Sequence, residues 1–138
     1  MKRQEEIRIA VTGATSFLGA ALIRELTARG YRVHAIVRPG SANRRVLEGL
    51  PVHVAELDLS RLDQVRDVIG ESCDVFFHFG WDGSGSDNRK KTEIQRQNAE
   101  DGLRALEGAR SLGCSRFVFS GSQAEYGVCR TLMSEDRP

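Results

Sequence analysis

The feature that most constrains the fold of this chain is a short glycine-containing turn, residues 13–19, between two segments of different hydrophobic periodicity. Before the turn, bulky apolar residues occupy every second position of 7–12, which predicts a β-strand. After the turn, Leu18, Leu22 and Leu26 recur every fourth residue, which predicts an α-helix that buries these three side chains. A strand followed by such a turn and a helix predicts an α/β unit whose second strand is parallel to the first.

The same alternation of strand and helix patterns continues along the rest of the 138 residues. Runs of β-branched and aromatic residues predict four further strands, at 33–37, 52–55, 74–79 and 116–120. Between the later strands, one predicted helix opens at Ser60 with Asp63 as a capping box, and a longer helix runs from about 89 to 112. The chain is therefore predicted to form one α/β dinucleotide-binding domain over 1–138, a Rossmann-like doubly wound parallel sheet of about five strands with helices on both faces.

The turn has the composition of a phosphate-binding loop. Gly13 permits a tight backbone turn and Gly19 a close approach of helix to strand, while the first turn of the helix presents free N–H groups to a pyrophosphate. Ser16 stands where such loops carry a further glycine, and its hydroxyl is expected to donate to a phosphate oxygen. Because strand and helix flank the turn in the required order, the sequence predicts a nicotinamide dinucleotide here; a turn without a ligand is the alternative.

Arginines after the second predicted strand indicate which dinucleotide is bound. An NAD site of this type carries an acid there for the ribose 2′-hydroxyl, and no Asp or Glu occurs between Tyr31 and Val46. Four arginines occupy this stretch, together with Ser41 and Asn43. Because a guanidinium pairs well with a 2′-phosphate, NADP is favoured and NAD is possible, with Arg38 as the main contact. The alternative is that these arginines form a solvated loop surface.

Composition and charge exclude several other classes of function. The formal net charge is +1 and no stripe of Lys and Arg carries interleaved aromatics, so no nucleic-acid partner is expected. Residues 1–6 are charged and lack the apolar region of a secretory signal; a cytoplasmic location without membrane association is predicted. Cys73, Cys114 and Cys129 are odd in number and widely spaced, and the three histidines are scattered, so free thiols and no metal site are predicted.

Ordered motifs along the chain resemble the first half of an extended short-chain dehydrogenase/reductase of the NAD-dependent epimerase/dehydratase family. Val11–Gly19 is similar to the family's Val-Thr-Gly-Ala-Thr-Gly-Phe-Leu-Gly except at Ser16, and Asp58–Leu59 resembles its adenine-contacting pair. The turn His-Phe-Gly-Trp at 78–81 resembles a turn over the cofactor, and Asn98 matches a family asparagine of mainly structural role. Turn chemistry and resemblance together predict these cofactor-binding residues: Gly13, Thr15, Ser16, Phe17, Leu18, Gly19, Arg38, Asp58, Leu59, Phe79, Gly80, Trp81 and Asn98.

A motif near the end of the chain resembles the family's substrate-contacting segment. Residues 119–127 read Phe-Ser-Gly-Ser-Gln-Ala-Glu-Tyr-Gly, similar to Ser-Ser-x-x-x-Tyr-Gly, and the resemblance assigns to Ser122 the catalytic hydrogen bond to the reacting oxygen. The Tyr-x-x-x-Lys pair that exchanges the proton lies well beyond this serine in relatives and has no counterpart in these residues. Tyr126 and Arg130 have the right interval but follow Ser122 too closely, so Tyr126 is predicted to be structural.

Two hypotheses about the whole chain follow from these motifs. In the first, it is the NAD(P)-binding part of a nucleotide-sugar epimerase, dehydratase or reductase, inactive alone because the catalytic helix and the C-terminal substrate-binding part lie outside it. In the second, it is a stand-alone NAD(P)-binding sensor or partner module without catalysis. Under the first hypothesis the resemblance implies a nucleotide sugar as substrate of the full-length protein and a possible homodimer through the helix near 89–112.

Overall fold

The computed structural model describes residues 1–85, 87–128 and 130–136, which form a five-stranded sheet with helices on both faces. The strands are β1 (Arg8–Thr12), β2 (Arg32–Val37), β3 (Val52–Glu56), β4 (Val75–His78) and β5 (Arg116–Phe119). The α-helices are α1 (Phe17–Ala28), α2 (Val65–Ile69) and α3 (Thr92–Ser111), and short 3-10 helices cover Gln4–Glu6, Ala42–Leu47, Leu59–Gln64 and Gln123–Tyr126. The predicted alternation of strands and helices is confirmed: strand ends agree within one residue and the ends of α3 within three, whereas α2 begins five residues after the start predicted at Ser60.

The order of the strands places a crevice at the middle of the sheet. All neighbouring strands are parallel, in the spatial order β3-β2-β1-β4-β5. The chain moves outward from β1 to β3 and then returns across the sheet to β4, whose His78 pairs in register with Thr12 of β1. In a doubly wound sheet this reversal of direction opens a crevice beyond the carboxyl ends of the two central strands.

Two hydrophobic cores lie on opposite faces of the sheet. On one face α1 packs against β1 and β2, with buried side chains at Ile9, Val11, Ile23, Leu26, Val33, Ala35, Val37 and Leu47. On the other face α3 and the segment 59–69 cover the sheet, with buried side chains at Ala10, Ile36, Leu62, Val65, Phe76, Ala105, Ala109 and Leu112. Phe76 is fully buried here, which stabilises the fold by about 1.5–3 kcal/mol.

Helix α1 buries a different stripe from the one that the leucine spacing predicts. Leu26 is buried and Leu22 packs against the core, but Leu18 is half exposed, so the prediction for Leu18 is wrong. The buried stripe instead contains Ile23 and the small residue Gly19. Small residues allow a helix to approach the sheet closely, but they do not stand out in a hydrophobic pattern, and the pattern therefore favoured the larger Leu18.

The capping box predicted at Ser60 and Asp63 is also wrong. Asp58 caps this segment, because its carboxylate accepts hydrogen bonds from the Ser60 backbone N–H at 3.0 Å and from the Ser60 hydroxyl at 2.7 Å. The chain then turns as the 3-10 helix Leu59–Gln64 before α2 begins. The cap therefore lies two residues earlier than predicted, directly beside the end of the sheet.

Two of the three cysteines are part of the core on the α3 face: Cys73 is buried in it and Cys114 packs against it. Cys73 and Cys114 are free thiols, and burial raises the pKa of Cys73 to about 12 and that of Cys114 to about 11. Cys129 lies outside the described residues. Over the described ranges, no three His, Cys, Asp or Glu side chains are grouped so that they could hold a metal ion, and no helix is long and apolar enough to cross a membrane.

Candidate functional site

A cleft of about 290 Å³ lies beyond the carboxyl ends of β1, β2 and β4. The turn 13–16 lines one side, residues 37–38 with Ser41 and Asn43 line a second, and residues 79–82 line a third. The predicted cofactor-binding residues that line this cleft are Gly13, Thr15, Ser16, Arg38, Leu59, Phe79, Gly80 and Trp81. The tertiary structure thus brings together segments that the sequence analysis identified separately.

The remaining predicted residues lie outside the lining, and some lining residues were missed. Those outside are Phe17, Leu18, Gly19, Asp58 and Asn98. The sequence analysis did not include Ala14, Ile36, Val37, Leu57, Asp82 and Ser84 among the cofactor-binding residues, although they line the cleft. Asp82 directly follows the predicted His-Phe-Gly-Trp turn, so extending that motif by one residue would have found it.

Gly13 brings the turn after β1 into contact with the turn after β4. Its φ is +64°, in the left-handed region that favours glycine. A Cβ at this position would lie 2.6 Å from both the carbonyl carbon and the carbonyl oxygen of Phe79. Because these are backbone atoms, no side-chain rotation can relieve the overlap, and the two central turns can approach this closely only with glycine at position 13.

Ser16 connects this turn to the start of α1. Its hydroxyl donates to the Gly13 carbonyl oxygen at 2.7 Å and accepts from the Gly19 backbone N–H at 3.1 Å. A Cβ at Gly19 would lie 2.1 Å from the same Gly13 oxygen, which confirms that glycine is needed for close packing there. The Ser16 hydroxyl therefore caps the helix, with its hydrogen directed to Gly13, a role that the sequence analysis did not assign to it.

We expect the cap to be measurable by comparing two substitutions of Ser16. Ser16→Ala should lower the free energy of unfolding by about 1 kcal/mol, because the Gly19 N–H loses its acceptor. Ser16→Gly should cost only a few tenths of a kcal/mol, as glycine is tolerated at this cap position. Urea denaturation of both variants checks this; equal stability of Ser16→Ala and the unmodified protein would contradict the capping role.

A buried hydrogen-bond network joins β1 to the turn after β4. Thr12 Oγ1 accepts from the backbone N–H groups of Phe79 and Gly80, each at 3.1 Å, and lies 2.7 Å from His78 Nδ1. With two N–H groups donating to its oxygen, the Thr12 hydroxyl hydrogen is available for the neutral His78 ring. Burial lowers the pKa of His78 to about 4, although nearby Asp101 opposes the shift, so the imidazole is neutral near pH 7. The network holds the turn 79–80 against Gly13.

Arg38 faces an acid that the sequence analysis did not place near it. Arg38 Nη1 donates to Asp82 Oδ1 at 2.7 Å, so the guanidinium is paired although no acid occurs between Tyr31 and Val46. Arg44 of the same loop pairs with Glu56 at the end of β3. Hydrogen bonds from the Ser60 side chain and backbone lower the pKa of Asp58, and the charge of Arg38 adds to this. Arg38 therefore interacts electrostatically with two carboxylates, those of Asp82 and Asp58.

Asn98 of α3 holds the backbone of Asp82. Its Nδ2 donates to the Asp82 carbonyl oxygen at 2.9 Å, and its Oδ1 accepts from the Asp82 N–H at 2.8 Å. Asn98 is 2% exposed and lies behind the cleft. Asn98 therefore holds the backbone of a cleft residue and does not itself line the cleft.

A second, smaller cleft of about 230 Å³ adjoins the first at Trp81. It is lined by Trp81, Phe119, Ser120, Gly121, Ser122 and Glu125. The Trp81 and Phe119 rings meet edge to face, with centroids 6.1 Å apart, and the Ser122 N–H donates to Glu125 Oε1 at 2.8 Å. Tyr126 ends the short 3-10 helix that follows and is about half exposed. Ser122 thus lines the second cleft, and Trp81 lines both clefts.

Comparison with known protein families and curated proteins identifies relatives of this chain. Residues 9–138 match the model described as "NAD dependent epimerase/dehydratase family". UDP-glucose 4-epimerase of Erwinia amylovora is 32% identical over 128 residues, which cover 87% of this chain and 38% of the relative. Ceramide reductase of Caulobacter vibrioides is 32% identical over 117 residues, which cover 84% of this chain and 35% of the relative. The chain therefore spans a little over a third of the length of these relatives.

Comparison with solved structures agrees on the fold. A crystal structure of UDP-galactose 4-epimerase has a TM-score of 0.78 and 25% sequence identity, and the match covers 91% of this chain and 42% of that chain. Together with the parallel strand order, this likeness confirms the Rossmann-like fold predicted from the sequence.

Proposed function

This chain belongs to the NAD dependent epimerase/dehydratase family, and we propose that the cleft beyond β1, β2 and β4 binds a nicotinamide dinucleotide, with NADP preferred to NAD. The observation that carries the proposal is the backbone surface at 13–16, where a Cβ on Gly13 could not be accommodated. The adjoining first residues of α1, Phe17 and Leu18, have N–H groups without an intrahelical acceptor. These groups and the helix dipole favour a pyrophosphate at this position.

The other residues of the cleft indicate how the dinucleotide would be oriented. Arg38 at the end of β2 would contact the adenosine 2′-phosphate, and Asp58 with Leu59 would contact the adenine. Phe79, Gly80 and Trp81 would lie along the nicotinamide half, towards the second cleft that contains Ser122. The nicotinamide supplies hydride transfer when it is bound.

The cofactor preference is testable through Arg38. We expect tighter binding of NADP than of NAD, because the guanidinium can pair with the 2′-phosphate. Arg38→Ala should remove most of that preference, at about 1.5–3 kcal/mol for a charge-assisted hydrogen bond. Calorimetric titration of the protein and the variant with both dinucleotides measures the four affinities.

Arg45 provides a matched control for the loss of a positive charge. It lies in the same loop and makes no ion pair with any residue in the described ranges. Arg45→Ala should leave the preference for NADP within about twofold of the unmodified protein, since an exposed charge without a specific contact contributes little. Equal affinity of the unmodified protein for NAD and NADP would contradict the proposed preference, whereas failure to bind either would contradict the site itself.

For the reaction of the full-length protein we propose epimerisation, dehydration or reduction of a nucleotide sugar. The Erwinia relative and the solved epimerase are named for UDP-sugars, which supports this substrate class. Ser122 would hydrogen-bond the reacting oxygen. A serine hydroxyl is too weak an acid or base to exchange that proton alone near neutral pH, and the 138 residues contain no Tyr-x-x-x-Lys pair. We therefore propose that this chain binds the cofactor without turning over the substrate by itself.

We also propose α3 as the contact between two copies of the full-length protein. Leu103 and Leu106 are 65% and 49% exposed on this helix, whereas Ala105 and Ala109 are buried against the sheet. Two exposed leucines one turn apart give α3 an apolar outer surface in addition to its core face. This supports the homodimer surface that the family resemblance implies.

A further inference from the structure

The ion pair between Arg38 and Asp82 spans the proposed cofactor cleft. Arg38 follows β2 and Asp82 follows β4, so the 2.7 Å hydrogen bond joins residues 44 positions apart in the sequence. Both residues line the cleft, and their side chains are 60% and 46% exposed. The contact therefore lies where a ligand entering from solvent can reach and replace either partner.

The backbone of Asp82 is held in place by a buried side chain of α3. Buried Asn98 hydrogen-bonds both the N–H and the carbonyl oxygen of Asp82. These two bonds do not involve the carboxylate, so the backbone of Asp82 stays in place beside the cleft, with its carboxylate within reach of Arg38, whether or not the ion pair is formed. Asp82 therefore places a negative charge at the rim of the cleft, within reach of Arg38.

We infer that Asp82 is a specificity-determining residue, which competes with the ribose 2′-phosphate for the Arg38 guanidinium. The inference rests on the proposed cofactor site. A 2′-phosphate that pairs with Arg38 must either displace the Asp82 carboxylate or lie close to it, and two anions at short distance repel each other. NAD carries a neutral 2′-hydroxyl at this position and does not incur that repulsion. Asp82 therefore weakens the binding of NADP and reduces the difference in affinity between NADP and NAD.

Asp82→Asn tests this role with little change of shape. The amide retains the backbone bonds to Asn98 but removes the negative charge opposite Arg38. We expect the Kd for NADP to fall about three- to tenfold at low ionic strength and the Kd for NAD to change less than about twofold. The gain for NADP should shrink as salt is added, because exposed charges are screened. Calorimetric titration with NADP and NAD at two salt concentrations measures these changes, and thermal unfolding without ligand checks that the variant is folded.

Glu56 offers a matched control on the same side of the molecule. It pairs with Arg44, and its side chain is 47% exposed, close to the value for Asp82. Glu56→Gln changes the net charge by the same amount and releases a different arginine, so the Kd for NADP should stay within about twofold.

The outcomes separate the inference from the proposed function. An unchanged or weaker affinity of Asp82→Asn for NADP overturns the inference. An equal gain in affinity for NADP and NAD overturns it as well, because Asp82 would then hinder the binding of both dinucleotides without distinguishing the 2′-phosphate from the 2′-hydroxyl. An equal gain in Glu56→Gln overturns it too, because net charge alone would then be responsible. If the folded, unmodified protein binds neither dinucleotide, the proposed function fails and the inference fails with it.

Discussion

Gly13→Ala is expected to abolish measurable binding of NADP and to lower the free energy of unfolding by about 3 kcal/mol. A non-glycine residue in the left-handed region costs about 1–2 kcal/mol. Overpacking adds roughly 1–3 kcal/mol, because the new Cβ would lie 2.6 Å from the Phe79 carbonyl group. The turns after β1 and β4 must move apart to accommodate it, and the proposed pyrophosphate site is formed by the first of them.

Gly30→Ala separates the strain of the backbone from the contact with Phe79. Gly30 also has a positive φ, of +84°, but a Cβ there would meet no atom within 4 Å. This control should lose only about 1–2 kcal/mol of stability and should bind NADP as tightly as the unmodified protein. Urea denaturation and calorimetric titration of the two variants measure both quantities. Similar NADP affinities for Gly13→Ala and Gly30→Ala would show that the close approach of the two turns is not needed for binding.

Acid is expected to destabilise the protein through His78 between pH 6.5 and pH 4. The pKa of this buried imidazole is lowered to about 4 by desolvation, from about 6.5 in the unfolded chain. The folded state therefore favours the neutral ring, so the contribution of His78 is fully present above pH 6.5 and is lost as the pH falls towards 4. The loss amounts to about 3 kcal/mol. Phe117 and Phe119 stack on the His78 ring, and its Nε2 has no hydrogen-bond partner among the described residues, so a charged ring gains little in compensation.

Denaturation at a series of pH values tests the role of His78. His78→Asn removes the titrating ring but retains an acceptor for the Thr12 hydroxyl, and it should reduce the loss of stability between pH 6.5 and 4 by about 3 kcal/mol. The variant will be less stable at neutral pH, so the slope with pH is the informative quantity. An unchanged slope in His78→Asn would contradict the assignment of the acid sensitivity to this residue.

Periodicity predicted most of the fold because it depends on neighbours in the chain. Alternation at period 2 predicted β1, runs of β-branched and aromatic residues predicted the other four strands, and a helical pattern predicted α3. Helix α1 shows the limit of this reasoning. Its contact with the sheet uses Gly19, whose fit depends on the Gly13 carbonyl oxygen, and hydrophobicity alone assigned Leu18 to the core instead.

The sequence by itself determined the α/β class, the glycine turn and half of the residues that line the cleft, since these follow from local patterns and ordered motifs. Only the tertiary structure decided what those residues contact. Thr12 meets His78, 66 positions away, and Arg38 meets Asp82, 44 positions away, because parallel strands place their carboxyl ends side by side. The spacing of residues along the chain does not indicate such pairs. The loop after β2 has no acid of its own, yet its Arg38 is paired with Asp82 in the folded protein.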